Sequence, residues 1–232
     1  MRYFIGDVHG CIKTLKELVR KICIMDEDPE LYFVGDLIDR GPDSKSVIDY
    51  IIELNNAGVK SKSVRGNHEE MLVNAYLYKQ RITDTDWYTN GAEKTMRSFN
   101  VNANISKPVN ELIPEKYFDY CADLPYFMEF SEYVIVHAGL NFRISKPLTD
   151  FKAMIWSREE QYNKTLVNGK KIIHGHSPIA LEMLKRKMES GITDIINIDT
   201  GCVYIHHKGL GYLTAINAET LELISVKNMD LF

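Results

Sequence analysis

Five segments of this chain set Asp, His or Asn beside glycine at the end of an apolar run. They are Gly6-Asp7-Val8-His9-Gly10, Gly35-Asp36-Leu37-Ile38-Asp39-Arg40-Gly41-Pro42, Arg65-Gly66-Asn67-His68-Glu69, His137-Ala138-Gly139 and His174-Gly175-His176. One such loop alone reads as turn caps and solvated charge. Five of them read as one shared centre. Carboxylate, amide oxygen and imidazole without thiolate suit Mn, Fe or Zn better than Ca or Mg alone. Asp7, His9, Asp36, Asn67, His137 and His176 are too many ligands for one transition metal that keeps open positions, but they suit two metals sharing a bridge. Asp36, central in sequence order, is the expected bridge. Two metals about 3.5–4 Å apart can hold a water between them, bring its pKa toward neutrality and clamp a phosphoryl oxygen for in-line attack. Of His174 and His176 only one need bind metal, and His176 is preferred.

Phosphoryl transfer also needs charge stabilisation on the equatorial oxygens and a proton for the leaving oxygen. Arg40 and Arg158, the latter in Trp156-Ser157-Arg158-Glu159, can each make the planar two-pronged contact that phosphate accepts. His68, adjacent to Asn67, is placed to donate the proton, and a charge-assisted bond from Asp39 would hold its imidazole protonated and oriented. Substrate contacts are therefore expected from Arg40, Arg158, Asn67 and His68. Arg65 either assists the phosphate or braces its loop, and the brace is slightly favoured. Trp87 and Tyr88 could stack on a base or line a peptide groove, with packing at least as good a role for Trp87. His206 and His207 read as a solvated turn.

The elements that must position these residues follow from apolar periodicity. Strands are expected over Arg2 to Ile5, Leu31 to Val34 and Val59 to Val64, alternating with helices through Ile12, Leu15, Leu18, Val19 and Ile22, through Val47, Ile48, Ile51, Ile52 and Leu54, and through Met71, Leu72, Ala75 and Tyr76. Asp43 or Ser44 can cap the second helix. Right-handed crossovers would make these strands parallel, so that three strand ends face one rim, where open α/β sheets keep their chemistry. From about 81 to 132 the pattern becomes a helical insert, with helices over Glu93 to Phe99 and Glu115 to Ala122 and no flexible linker, within a single domain of 1–232. Strands resume at Tyr133 to Val136, Lys171 to Ile173 and Ile195 to Ile198. A helix can start at Ser177-Pro178 and run through Leu181, Leu184 and Met188. The tail, Val203 to Ile205, Tyr212 to Ile216 and Leu221 to Val226, reads as antiparallel strands.

Composition sets outer bounds. The 232 residues, 45% hydrophobic and 26% charged, describe an ordinary globular chain with enough length for a real core. A net charge of -4 gives no basic footprint, so a nucleic acid duplex is not the expected partner. The start Met1-Arg2-Tyr3-Phe4-Ile5 is too short for a signal peptide's apolar core, and no run is long enough to span a bilayer. Cys11, Cys23, Cys121 and Cys202 are far apart, as reduced thiols of a cytoplasmic protein would be.

Taken in order, GDVHG (6–10), GDLIDRGP (35–42), RGNHEE (65–70), HAGL (137–140), HGHSP (174–178) and INIDTGCVY (197–204) resemble the phosphoprotein phosphatase superfamily of calcineurin-like metallophosphoesterases, and its compact bacterial and phage branch most. The resemblance runs along nearly the whole chain. It implies an α/β fold, a four-layer α/β/β/α sandwich of two mixed sheets, and two divalent metals, often manganese, with Fe or Zn as alternatives. By motif position Asp7, His9 and Asp36 would hold one metal, and Asp36, Asn67, His137 and His176 the other. His68 with Asp39 would be the acid pair, and Arg40 with Arg158 the phosphate clamp. Asn90-Gly91-Ala92 stands where relatives often carry a Gly-Gly pair. The leading expectation is a serine/threonine protein phosphatase acting through a metal-bridged hydroxide, with a phosphorylated protein as its substrate. Its rival is a hydrolase of dinucleoside tetraphosphates, with a nucleotide substrate. A non-catalytic binding module is disfavoured, because a pure binder has no use for His68.

Overall fold

The computed structural model describes residues 1–101, 107–158 and 162–230. The first half alternates β1 (Arg2–Ile5), α1 (Ile12–Met25), β2 (Glu30–Phe33), α2 (Ser44–Asn56), β3 (Ser61–Ser63) and α3 (Asn67–Leu77). The strands pair in parallel, β1 with β2 and β2 with β3. Later come α4 (Glu93–Ser98), α5 (Glu115–Ala122), β4 (Phe127–Glu129), β5 (Tyr133–Val136), α6 (Phe151–Trp156), β6 (Lys171–His174), α7 (Leu181–Glu189), β7 (Ile195–Asn197), β8 (Tyr212–Asn217) and β9 (Leu223–Lys227). The order β3-β2-β1-β8-β9 makes one mixed sheet and β4-β5-β6-β7 the other.

The layering follows from the two-residue period of the strands. Tyr3, Ile5, Leu31 and Phe33 pack under α1 and α2, against Leu15, Leu18, Val47 and Ile51. Phe4, Tyr32 and Val34 turn the other way and meet Tyr133, Ile135, Ile173 and Ile196 of the second sheet. On the far face of that sheet, Val134, Val136 and Ile172 pack with Met154 of α6. The result is a helix–sheet–sheet–helix stack. Strands buried on both faces read as continuous apolar runs, which is why they were visible in the sequence.

Caps place the helices that carry site residues. Asp43 accepts from the Ser46 N–H and starts α2. Cys11 precedes α1 without a side-chain cap, and the first-turn donors are met from far away: Asp230 accepts from the Lys13 and Thr14 N–H groups at 3.0 Å each and from the Thr14 hydroxyl at 2.6 Å.

Four expectations are corrected. Val203 to Ile205 is a turn, not a strand; Val203 is buried by packing rather than by pairing. The insert is not all helical, because Phe127–Glu129 pairs antiparallel with β5 as β4. The third helix begins earlier, at Asn67, so the Asn-His pair occupies a first helical turn and not a loop. The helix expected from Ser177-Pro178 begins only at Leu181, because Asn197 Nδ2 donates to the Ser177 carbonyl and the Ile179 N–H to that of Asp199, holding 177–180 outside the helix.

Candidate active site

Asp36 leaves β2 with φ +49 and puts Oδ2 at the middle of the site. His137 Nε2 lies 3.3 Å from it, His9 Nε2 3.6 Å and His68 Nε2 3.8 Å. Its Oδ1 accepts from the His68 N–H at 3.1 Å, which orients the carboxylate. Around Asn67 Oδ1, His137 Nε2 and His176 Nδ1 each stand at 3.0 Å, and the two imidazole nitrogens are 3.2 Å apart. Asp7 accepts the His176 N–H through Oδ2, while its Oδ1 is buried without a partner. All six side chains are buried. The first sheet thus supplies Asp7, His9, Asp36 and Asn67, and the second supplies His137 and His176.

The tautomers decide what this cluster can do. His9 Nδ1 lies 2.8 Å from the Ile38 carbonyl and His137 Nδ1 2.9 Å from that of Val34, so each of these nitrogens carries the proton and each Nε2 offers a lone pair inward. Burial, Arg40 and His68 hold His9 well below its ordinary range, and burial with His137 takes His176 down to about 3, so both are neutral ligands. For His137 burial is outweighed by the Asp36 charge, which raises it. Burial and the neighbouring charges of Asp199 and Asp36 push Asp7 well above the usual carboxylate range. Burial opposes ionisation of Asp36, but His137 and His68 hold it well below that range. Inward lone pairs, crowded carboxylates and an orphaned Asp7 oxygen are the donor set of a cation site. Two triads, His9–Asp36–His68 and Asp36–His137–His176, bring their ligand atoms within 4.8 Å of one another and share Asp36. By distance the first triad contains His68, whose Nε2 lies 3.8 Å from Asp36 Oδ2 while its Nδ1 is held by Asp39; with Asp7 beside it, the donor set would suit two metals.

The loops are shaped tightly around these carboxylates. A Cβ on Gly66 would stand 2.2 Å from Asp36 Oδ1, and one on Gly175 2.0 Å from Asp7 Oδ1. Of nine non-glycine residues with positive φ among the described residues, five are His9, Asp36, Asp39, Arg40 and His176. Such backbone strain clusters where a site over-determines its geometry.

Beside these six side chains, His68 Nδ1 lies 2.6 Å from Asp39 Oδ2, with both residues fully buried. Arg40 reaches His9 Nε2 at 2.7 Å, a cation on the lone pair that a metal would use, and its guanidinium stands 5.9 Å over the Tyr204 ring. The Arg40 N–H donates to the Gly91 carbonyl at 3.3 Å, and Gly91, at φ +102, has no room there for a side chain. Arg158 is exposed, with Nη1 3.4 Å from Ser177 Oγ. It lines a cleft of about 350 Å³ with Arg143, Lys152 and Trp156; a second cleft of about 350 Å³, lined by Met71, Asp84, Asp86 and Trp87, meets the first at Trp156.

Arg65 points elsewhere. Its guanidinium donates to Glu70 at 2.8 Å, Tyr126 at 3.2 Å and the Ala122 carbonyl, and lies 4.8 Å over the Tyr126 ring. Those are the contacts of a brace, and the substrate contact expected of it has no counterpart in this geometry. His174 sits in β6 outside both triads, and His206 and His207 are exposed in a turn. Trp87 is 1% exposed and donates its indole N–H to Asp39 Oδ2 at 2.6 Å, so it is not a free stacking surface.

Two residues were missed. Glu69 is buried and accepts from the Asp36 and Gly66 N–H groups through Oε2 (3.0 and 2.9 Å) and from those of Leu37 and Ile38 through Oε1 (2.8 and 3.3 Å), fastening the Asp36 loop to α3. An acid three residues after Gly66 is the spacing of a capping box, a signal present in the sequence. Asp199 follows β7, is buried, and faces Asp7; Asp199-Thr200-Gly201 repeats the glycine-bounded pattern of the other loops.

A two-sheet sandwich whose strand ends gather a shared Asp, imidazoles and a buried His–Asp pair is the arrangement of a metallophosphoesterase. Residues 3–210 match the calcineurin-like phosphoesterase family, and the chain belongs to it, a hydrolase of phosphoric ester bonds. It is 31% identical over 211 residues to serine/threonine-protein phosphatase 1 of Salmonella typhimurium, covering 87% of each chain. It is 28% identical over 246 residues to an asymmetrical bis(5'-nucleosyl)-tetraphosphatase of Anoxybacillus flavithermus, covering 96% of this chain and 92% of that one. A serine/threonine phosphatase structure from Saccharomyces cerevisiae superposes with a TM-score of 0.59 over 100% of this chain and 80% of that one, at 16% identity, which speaks for the fold alone.

Proposed function

We propose that this chain is a metal-dependent serine/threonine protein phosphatase working with two divalent ions, manganese foremost. The observation that carries the reading is the shape beside the metal ligands. Trp87, the aromatic of the insert best suited to a base, is spent on Asp39, and two shallow clefts meet at the exposed Trp156, which suits an extended phosphopeptide. Asp7, His9, Asp36, Asn67, His137 and His176 would hold the metals. Those ions would supply Lewis-acid charge and an activated water. Arg40 and Arg158 flank the phosphoryl group and orient it, Arg40 from the buried side and Arg158 from the rim. His68, oriented by Asp39, gives its Nε2 proton to the leaving serine or threonine oxygen. Three buried thiols and one exposed thiol, all free, suit a reducing compartment such as the cytoplasm.

A dinucleoside tetraphosphatase is the second reading, and the exposed Trp156 beside Arg158 is the observation that favours it. A parallel assay of the manganese-loaded protein on a phosphoserine peptide and on diadenosine tetraphosphate separates the two. Fast peptide turnover with slow nucleotide cleavage is expected. A peptide rate at background beside fast nucleotide cleavage overturns the first reading.

A further inference from the structure

The acid pair does not stand alone. Asp39 Oδ2 takes His68 Nδ1 and Trp87 Nε1, each at 2.6 Å, while Oδ1 takes the Thr95 hydroxyl. The Asp39 N–H in turn meets Ser44 Oγ at 2.9 Å and Thr95 Oγ1 at 3.0 Å, and those two hydroxyls are 2.8 Å apart. Trp87 and Thr95 both come from the insert, and Asp39, His68, Trp87 and Thr95 are all at most 1% exposed. An indole nitrogen can only donate, so the direction of the Trp87 bond is fixed. Asp39 is also held at φ +71, a backbone state uncommon for a residue other than glycine. Opposite this network, His68 Nε2 is buried with no hydrogen-bond partner, the free end of the imidazole.

We propose that Trp87 is a positioning residue of the acid pair: its N–H locks the Asp39 carboxylate against His68 Nδ1 and thereby aims His68 Nε2 at the leaving oxygen. The inference rests on the role given to His68 above. In the step it serves, a water oxygen forms a bond to phosphorus and gives a proton to solvent, the bond from phosphorus to the leaving oxygen breaks with its electron pair on that oxygen, the Nε2 proton passes to it, and Asp39 and Trp87 keep their bonds and exchange no proton. The insert is then part of the catalytic geometry and not only a wall beside it. Packing alone would predict a different pattern of loss: a ring of similar size at 87 would leave the chemistry of proton delivery untouched.

Trp87→Phe, which keeps an aromatic ring and removes the donor, tests this in the manganese-loaded protein. Two substrates are compared: phosphoserine, whose alkoxide needs a proton, and 2,4-dinitrophenyl phosphate, whose leaving group departs without one. The expected result is that the ratio of kcat on phosphoserine to kcat on the dinitrophenyl ester falls about tenfold, the size expected for one charge-assisted hydrogen bond, with both metals retained. An equal fall on both substrates while His68→Asn changes the ratio overturns the inference and leaves His68 as the acid. If His68→Asn also leaves the ratio unchanged, the role of His68 fails first. Should Phe at 87 not fold, 3-benzothienylalanine at that position keeps the bicyclic shape with sulfur in place of N–H, and the same ratio decides.

Discussion

Glu69→Gln is the perturbation whose magnitude the structure defines best. The Glu69 side chain receives four backbone N–H groups, two on each oxygen, and a group that only accepts must be an ionised carboxylate. Glutamine offers one accepting oxygen and one donating nitrogen. Its cheaper orientation keeps the Asp36 and Gly66 bonds at 3.0 and 2.9 Å and turns the NH2 toward Leu37 and Ile38, sacrificing the pair that contains the long 3.3 Å bond. Two charge-assisted bonds are lost and two buried donors then face a third. At the low end of about 1.5 kcal/mol per bond the cost is about 3 kcal/mol. For a chain of this length that lowers the melting temperature by roughly 6–12 °C. Because the loop so loosened carries Asp36, metal affinity should fall about 10–100-fold as well. Thermal melts in chelator give the first number and a metal titration the second. A variant that melts within about 1 °C of the parent in chelator would mean that Glu69 is protonated and already donates like an amide, and the reasoning would be wrong.

His68→Asn and Asp36→Asn should separate proton delivery from metal binding: the first retains both metals and loses about 10²–10⁴-fold in turnover, the second loses metal, as metal analysis beside kcat would record. Full metal occupancy in Asp36→Asn would refute the bridge. Arg65→Ala should destabilise by about 2–3 kcal/mol through lost bonds to Glu70, Tyr126 and the Ala122 carbonyl, yet leave KM near its parent value; a large KM rise would restore it as a phosphate ligand. Burial pushes Asp199 up to about 6 from 3.8. An acid raised in the folded state contributes stability while protonated, fully below its unfolded value and lost as pH rises through its folded one. Metal-free protein should therefore lose stability between about pH 4 and 6, and Asp199→Asn should flatten that slope in melts run in chelator.

What could be read from the sequence was what leaves a periodic or a chemical trace. Strands buried on both faces announced themselves, and the candidate ligands stood out because charged and polar residues at strand ends are hard to explain otherwise. The short β4 stayed hidden because Phe127-Met128-Glu129 is only partly buried and follows Pro125. Val203 to Ile205 misled for the opposite reason, an apolar run that packs without pairing. Spacing carried the Glu69 bond to Gly66 as a capping-box signal, but the Glu69 bonds to the Asp36 loop and the Trp87 bond were out of its reach, since each joins residues more than thirty positions apart. Arg65 and Trp87 show the limit plainly: residue type allowed a phosphate contact and a stacking face, and only packing decided against both.

The Asp230 cap on α1 has a consequence for how the site is held. The acceptor for its leading N–H groups lies 216 and 217 residues further along the chain, and β1 likewise pairs with the distant β8. Helix α1 starts two residues past Gly10, on the loop that carries Asp7 and His9, so the placing of those two side chains depends on contacts from Asp230. Residues more than two hundred positions apart thus share the fixing of one loop of the site.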